Sequence, residues 1–351
     1  MQDTSLNAIN NSSFDQAPAQ LVDGFGRAIT YVRLSITDRC DLRCTYCMAE
    51  EMTFLPRSEI LSLEELSRLG KTFAEMGVRK LRITGGEPLI RKGVLTLMEQ
   101  LGQLPLLDEL CLTTNATHLA QYAQGLRDAG VDRINISLDS LHPERFRQLT
   151  RFGDLQQVLA GIRAAQKVGF KRIKLNCVAL KNFNADEVPN LVRFALDEGL
   201  DISFIEEMPL GRIAAHGRAL EFISSENLRA RIQARFLLHA DESTATINNS
   251  AGPTRYWRVA GYDSRIGFIS PHSENFCSSC NRVRVTATGR LLLCLGQENS
   301  ADLRAPLRDF PDDPAHLQAT IRHALEHKPL QHDFTLAEEP QILRFMNATG
   351  G

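Results

Sequence analysis

Short apolar runs of five to seven residues alternate with longer stretches in which apolar positions recur every three or four residues. The runs predict strands at Tyr31–Ile36, Arg79–Thr84, Glu109–Thr113, Asp132–Leu138, Arg172–Val178 and Ile202–Glu206. The three- and four-residue spacing predicts amphipathic helices between them, at Leu63–Met76, Leu119–Ala129 and Gln156–Val168 among others. Ser62 followed by Glu65 is a capping-box signature for the first helix. Gly77, Gly130 and Gly169 fall where helices stop.

Strands that alternate with helices build parallel sheets. Six such units fall short of a closed eight-unit barrel, so the pattern predicts an α/β fold with a partial (β/α)6 barrel. The chemically distinctive residues fall where these strands end, as functional groups do in such sheets. The alternation stops near residue 245, in a polar segment 243–254. The expected organisation is a mobile polar leader at 1–24, a barrel at 25–245, and a C-terminal region at 246–351 that packs on the barrel mouth. A hairpin is expected around Thr288-Gly289 and a helix over Ala315–His327.

Composition adds little direction. The chain has 351 residues, 43% of them hydrophobic, and a formal net charge of −2. No overall charge draws it to nucleic acid or an anionic membrane, so any anion site must be local. No run approaches the roughly 20 apolar residues that span a bilayer, and no secretory pattern opens the chain. The eight cysteines are clustered, which favours metal binding in a reducing cytoplasm over disulfides.

Cys40, Cys44 and Cys47 stand at C-x3-C-x2-C spacing in one loop. Three thiolates suit a [4Fe-4S] cluster and leave one iron open. The alternatives are zinc, which wants a fourth ligand, and no metal at all. A second set, Cys277, Cys280 and Cys294, again offers three thiols. It could hold a second open cluster, or zinc completed by His272. Arg282 and Arg284 would share one strand face, which suits a polyphosphate or else marks an exposed basic edge. Arg33, Arg82 and Lys174 fall on mainly buried strands. Turned inward, they would make a cationic cavity. Thr84-Gly85-Gly86-Glu87-Pro88 reads alone as a tight turn, although its glycines allow close ligand approach and Glu87 could accept from an ammonium group. Cys111 and Cys177 read as core cysteines.

The first triad, with Tyr46 before its last cysteine, resembles the signature of radical S-adenosylmethionine (SAM) enzymes. Gly-Gly-Glu-Pro resembles the turn that contacts SAM in that superfamily. The two triads with the Asn-Arg-Val-Arg insert and the terminal Gly350-Gly351 resemble, more narrowly, the GTP 3′,8-cyclase family of molybdenum cofactor biosynthesis. That resemblance runs from about Phe25 to Gly351.

It implies two [4Fe-4S] clusters, on Cys40, Cys44 and Cys47 and on Cys277, Cys280 and Cys294. It places Tyr46, Gly86, Ser137 and Met208 on SAM, and Arg33, Arg82, Thr113, Lys174, Arg282, Val283 and Arg284 on GTP. The implied product is (8S)-3′,8-cyclo-7,8-dihydroguanosine 5′-triphosphate. A 5′-deoxyadenosyl radical would take the ribose 3′ hydrogen, C3′ would bond to guanine C8, and the remaining radical would be reduced. A proton-donating role in that step would fall to Arg82, Arg282 or Arg284. The second cluster would anchor the purine, and Gly350 and Gly351 would reach the active site for cyclisation. The implied partners are an electron donor such as flavodoxin or ferredoxin and the next enzyme, cyclic pyranopterin monophosphate synthase. Family members are often dimers.

The family's Thr-Thr-Asn-Gly reads Thr113-Thr114-Asn115-Ala116 here, which puts an alanine where a glycine turn is usual. Two other functions fit the cysteines: a radical SAM peptide-modifying maturase, and a non-catalytic zinc protein. Only three cysteines lie beyond residue 245, fewer than maturases usually carry.

Overall fold

The structure is a computed structural model. It describes residues 20–211, 213, 217–242, 252–336 and 342–350, without the side chains of 218 and 219. Most of the leader, the boundary near 245 and Gly351 therefore lie outside the described residues.

Twelve strands form one open sheet: β1 Tyr31–Ser35, β2 Lys80–Thr84, β3 Glu109–Thr114, β4 Arg133–Ser137, β5 Arg172–Ala179, β6 Asp201–Glu206, β7 Leu238–Ala240, β8 Arg255–Val259, β9 Arg265–Ile269, β10 Arg282–Val285, β11 Arg290–Leu292 and β12 Ser300–Asp302. Their order is β12-β11-β10-β1-β2-β3-β4-β5-β6-β9-β8-β7. The six expected strands are all present, parallel and in sequence order. The C-terminal region extends both flanks. β10 pairs parallel with β1, and β9 pairs parallel with β6. The sheet also crosses the soft boundary, because β7 pairs with β8.

The local signals act as chemistry requires. Ser62 caps the helix Leu63–Glu75 with a complete capping box. Gly77, Gly130 and Gly169 all take positive φ after their helices. The late helix runs Pro314–Glu326, and Gly289 turns the hairpin between β10 and β11. Ala116 sits in the left-handed region at φ 64°, so the strained turn that glycine usually serves is kept by an alanine.

Alternation along each strand separates two environments. Val32, Leu34, Leu81 and Ile83 are fully buried and pack in the main core. Tyr31, Arg33, Lys80, Arg82, Glu109, Arg133 and Lys174, of the opposite parity, line an interior cavity. Leu21 and Asp23, which precede Phe25, are buried.

Candidate active site

The cavity measures about 1050 Å³ and is lined by all six cysteines of the two triads. Cys40, Cys44 and Cys47 follow the C-terminal end of β1. The second triad lies at the opposite end: Asn281 O accepts from the backbone N–H groups of Thr30 and Tyr31, so Cys280 stands beside the start of β1. The ends of a five-residue strand are roughly 15 Å apart. The two thiol sets thus cap opposite ends of one chamber.

Between them lies a row of like charges. Arg33 is in register with Arg284 on one side and Arg82 on the other. Arg82 is opposite Cys111, and Cys111 opposite Arg133. One register row therefore carries four guanidinium groups and a thiol. The adjacent cavity-facing row runs Arg282, Tyr31, Lys80, Glu109. Like charges directly across a sheet destabilise it. Burial, with Arg33 and Arg282 beside it, pulls Arg284 well below the usual arginine range. Burial also lowers Arg33, to about 10, with Arg82 and Arg282 contributing. Lys174 is lowered by burial, and by Arg82 and Arg133. Among the described residues no carboxylate forms an ion pair with Arg82, Arg282, Arg284 or Lys174.

Two tyrosines moderate this field. Arg82 Nε donates to the Tyr31 hydroxyl at 2.6 Å, and Lys80 Nζ lies 5.3 Å from the ring centre. Burial alone would raise the Tyr31 phenol, but Arg82, Arg33 and Lys80 outweigh it and hold it at about 7. Lys174 Nζ lies 3.5 Å from the Tyr256 hydroxyl. Lys80 also pairs with Glu109, which Arg133 contacts at 3.0 Å.

The turn after β2 is built into the cysteine loop. Gly86 N donates to Thr37 O and Glu87 N to Arg39 O, each at 2.8 Å. A Cβ on Gly86 would lie 2.2 Å from Arg39 O, so this glycine makes room for the backbone that leads to Cys40. Neither Gly85 nor Gly86 has positive φ. Glu87 differs from its expected role. Its carboxylate is fully buried and already accepts from Leu89 N at 2.9 Å, Thr114 Oγ1 at 2.8 Å and Asn115 N at 2.7 Å. It braces two loops and does not present itself to a ligand.

The remaining expected residues converge on the same chamber. Tyr46, Gly86, Ser137 and Met208 line it with the first triad, and Thr113 and Val283 line it among the cations. Tyr46 donates to Asp139 Oδ2 at 2.8 Å. Gly350 reaches in as well: its carbonyl accepts from Arg33 Nη2 at 3.3 Å and Arg284 Nη1 at 2.5 Å. Asn347 Nδ2 donates to Asp38 O at 2.9 Å, which anchors the tail at the barrel mouth. β10 is not an exposed edge, because β1 and β11 flank it. Cys111 and Cys177 are buried.

Four sulfurs around one zinc stand about 3.8 Å apart, given a bond of about 2.3 Å. Among the described residues, the only three His, Cys, Asp or Glu donor atoms within 4.8 Å of one another are those of His323, Glu326 and His327. Neither cysteine triad is gathered to single-ion spacing. His272 does not complete one, since its Nε2 lies 3.0 Å from Glu207 O and its ring packs against Phe222 and Phe334. Burial pushes Cys47 to about 12 and Cys44 well above the thiol range, so metal loading would release their protons.

Comparison with known proteins decides the family. The chain is 58% identical over 331 residues to the GTP 3′,8-cyclase of Saccharophagus degradans, covering 94% of this chain and 98% of the relative. It is 57% identical over 338 residues to that of Pseudomonas entomophila, covering 96% and 100%. The chain belongs to the GTP 3′,8-cyclase family. Two family models divide this cyclase-family chain: Radical SAM superfamily matches 34–195, and Molybdenum Cofactor Synthesis C matches 200–334. Solved structures share the fold at low identity. Streptococcus suis SuiB bound to S-adenosylmethionine has TM-score 0.57 at 15% identity, covering 92% of this chain and 78% of that one. Native anSMEcpe with bound AdoMet has TM-score 0.56 at 16% identity, covering 86% and 81%. No helix among the described residues is long and apolar enough to cross a membrane.

Sequence reasoning missed several residues of this cyclase-family site. Lys80 shares a strand face with Arg82, and the two-residue alternation could have found it. Tyr31 relates to Arg33 in the same way. Tyr256, Arg133 and Lys328 also line the chamber. The pairings that bring Tyr256 and Lys328 there span too much sequence to read from pattern.

Proposed function

We propose that this chain catalyses the GTP 3′,8-cyclase reaction, forming (8S)-3′,8-cyclo-7,8-dihydroguanosine 5′-triphosphate, the first step of molybdenum cofactor biosynthesis. The observation that carries this reading, beside family membership, is the like-charged row Arg284, Arg33, Arg82 and Arg133 inside one chamber between two thiol sets. Buried cations that repel one another are stabilised when a polyanion joins them, and a triphosphate supplies several negative oxygens for planar guanidinium donors.

The chemistry of the donors fits two [4Fe-4S] clusters. Cys40, Cys44 and Cys47 would hold the first, with Tyr46, Gly86, Ser137 and Met208 around SAM. Cys277, Cys280 and Cys294 would hold the second. When bound, the first cluster and SAM supply a 5′-deoxyadenosyl radical able to take hydrogen from C3′ of the ribose. The chain's own part is placement. Arg33, Arg82, Lys174, Arg282 and Arg284 would seat the triphosphate, with Thr113 and Val283 beside it. The nucleoside would then span the chamber, with C3′ toward Cys40, Cys44 and Cys47. Arg82 is held by Tyr31, Leu112 O and Thr113 Oγ1, and Arg284 by Gly350 O, which leaves Arg282 freer to serve the final reductive step. Gly350 lies between those arginines and the mouth, where the tail would exclude water from the substrate radical.

The working enzyme would take electrons from a low-potential donor such as flavodoxin or ferredoxin, act in the cytoplasm, and pass its product to cyclic pyranopterin monophosphate synthase. The test is anaerobic incubation of reconstituted protein with GTP, SAM and dithionite. A product with the mass of GTP but without the guanine absorbance supports the reading. Unchanged GTP beside full SAM cleavage overturns it.

A further inference from the structure

Away from the cationic row, among the described residues, a buried lysine also lacks a counter-charge. Lys328 is only 2% exposed and follows the helix Pro314–Glu326. Its Nζ donates to Leu293 O at 2.6 Å and lies 3.7 Å from Cys280 Sγ. No carboxylate among the described residues pairs with it. A buried ammonium is costly unless something negative answers it, and the nearest candidates are thiolates.

Its position is enforced from outside. Arg27 donates from Nη1 to Cys277 O and Leu330 O, both at 2.8 Å, and from Nη2 to Pro329 O at 2.6 Å. Its Nε pairs with Asp23 at 2.6 Å. One guanidinium therefore staples the second cysteine loop to the two residues that follow Lys328. Arg282 and Arg27 also bring positive charge toward Cys280. Arg282, however, faces the cavity where substrate charge would meet it, and the Arg27 guanidinium is committed to backbone carbonyls and Asp23. Of the three, Lys328 alone brings its charged group to a triad sulfur; Arg282 meets Cys280 Sγ only through its backbone.

We infer that Lys328 is the charge partner of the group held by Cys277, Cys280 and Cys294 and sets that group's reduction potential; this rests on reading those cysteines as ligands of a second [4Fe-4S] cluster. Three thiolates on a [4Fe-4S]2+ core leave a net charge of −1. Uptake of one electron makes it −2. A fixed ammonium beside a ligating sulfur stabilises the reduced form more than the oxidised one, as outer hydrogen bonds to cluster sulfurs do. Lys328 is thus a positioning residue that acts through Cys280.

The test is an EPR-monitored redox titration of the full chain with Cys40, Cys44 and Cys47 replaced by alanine, which leaves only the second site to carry iron. Lys328→Gln and Lys328→Arg are compared in that background. The inference expects at least a tenfold weaker reduction equilibrium in the Gln variant, a negative shift of about 59 mV for one electron, with the Arg variant near the parent. Loss of the cluster in the Gln variant alone, with retention in the Arg variant, also supports a required charge. Equal potentials in the parent and the Gln variant overturn the inference and leave the second cluster standing. Loss of the cluster in both variants points to packing and overturns it too. Failure of the parent background to bind iron overturns the second-cluster reading and the inference together.

Discussion

Arg284 Nη1 donates to the carbonyl oxygen of Gly350 at 2.5 Å, joining the chain's end to a strand 66 positions earlier. Gly350 has φ 75°, and a Cβ there would meet Thr84 Cγ2 at 2.5 Å and Ser35 Cβ at 3.2 Å. Gly350→Ala should therefore push the tail out of the chamber, as removal of Gly350 and Gly351 would. Both variants should still form 5′-deoxyadenosine from SAM and lose cyclic product at least tenfold, measured by chromatography of a single reaction. Full cyclisation by the truncated chain would remove the tail from the mechanism.

Tyr31 gives the site a pH dependence of its own. Its phenol is held at about 7 by Arg82, Arg33 and Lys80 against the effect of burial. A bound triphosphate would engage those same cations, weaken their hold on the phenolate and return the proton to the phenol. Binding then requires proton uptake above pH 7. GTP affinity relative to Tyr31→Phe should fall as pH rises through 7, by up to tenfold per pH unit. Calorimetric Kd values from pH 6 to 8.5 would show it, and parallel profiles for the two proteins would refute it.

The strands, caps and thiol sets were legible because each rests on local spacing. Ser62 with Glu65, and the alternation of Arg33 and Arg82, need no distant partner. The partners of β1 and β6 were not legible, since β10 joins β1 from about 250 residues away. For the same reason the sequence could place Lys328 on no element near Cys280. Glu87 misled for a different reason: a carboxylate beside paired glycines suggests a ligand contact, and only the fold reveals three internal donors converging on it.

Glu87→Gln should weaken SAM binding without any contact to SAM. The amide can accept at only one of the two oxygens that now serve Leu89 N, Thr114 Oγ1 and Asn115 N. Loss of one buried acceptor costs about 1–3 kcal/mol, and the turn carrying Gly86 shifts with it. Equilibrium SAM binding to reconstituted protein should weaken about tenfold. An unchanged Kd would show that the bracing is dispensable.

Glu109 tests the cation network as a stabilising element. Burial would raise its pKa, but Lys80 and Arg133 hold it at about 2. A carboxylate depressed in this way adds stability above its unfolded pKa of about 4.3, and that stability is lost as pH falls through about 2. Glu109→Gln should therefore cost about 2–3 kcal/mol at pH 7. Thermal unfolding would report the loss, and an unshifted Tm would mean that the pair adds nothing.

The central claim is that this chamber holds a guanine nucleotide with its ribose C3′ turned to the first thiol set. Anaerobic turnover with 3′-deuterated GTP tests it most directly. The account predicts deuterium in the 5′-deoxyadenosine released from SAM. Deoxyadenosine free of deuterium, formed while the 3′ label stays wholly on the nucleotide, would contradict it.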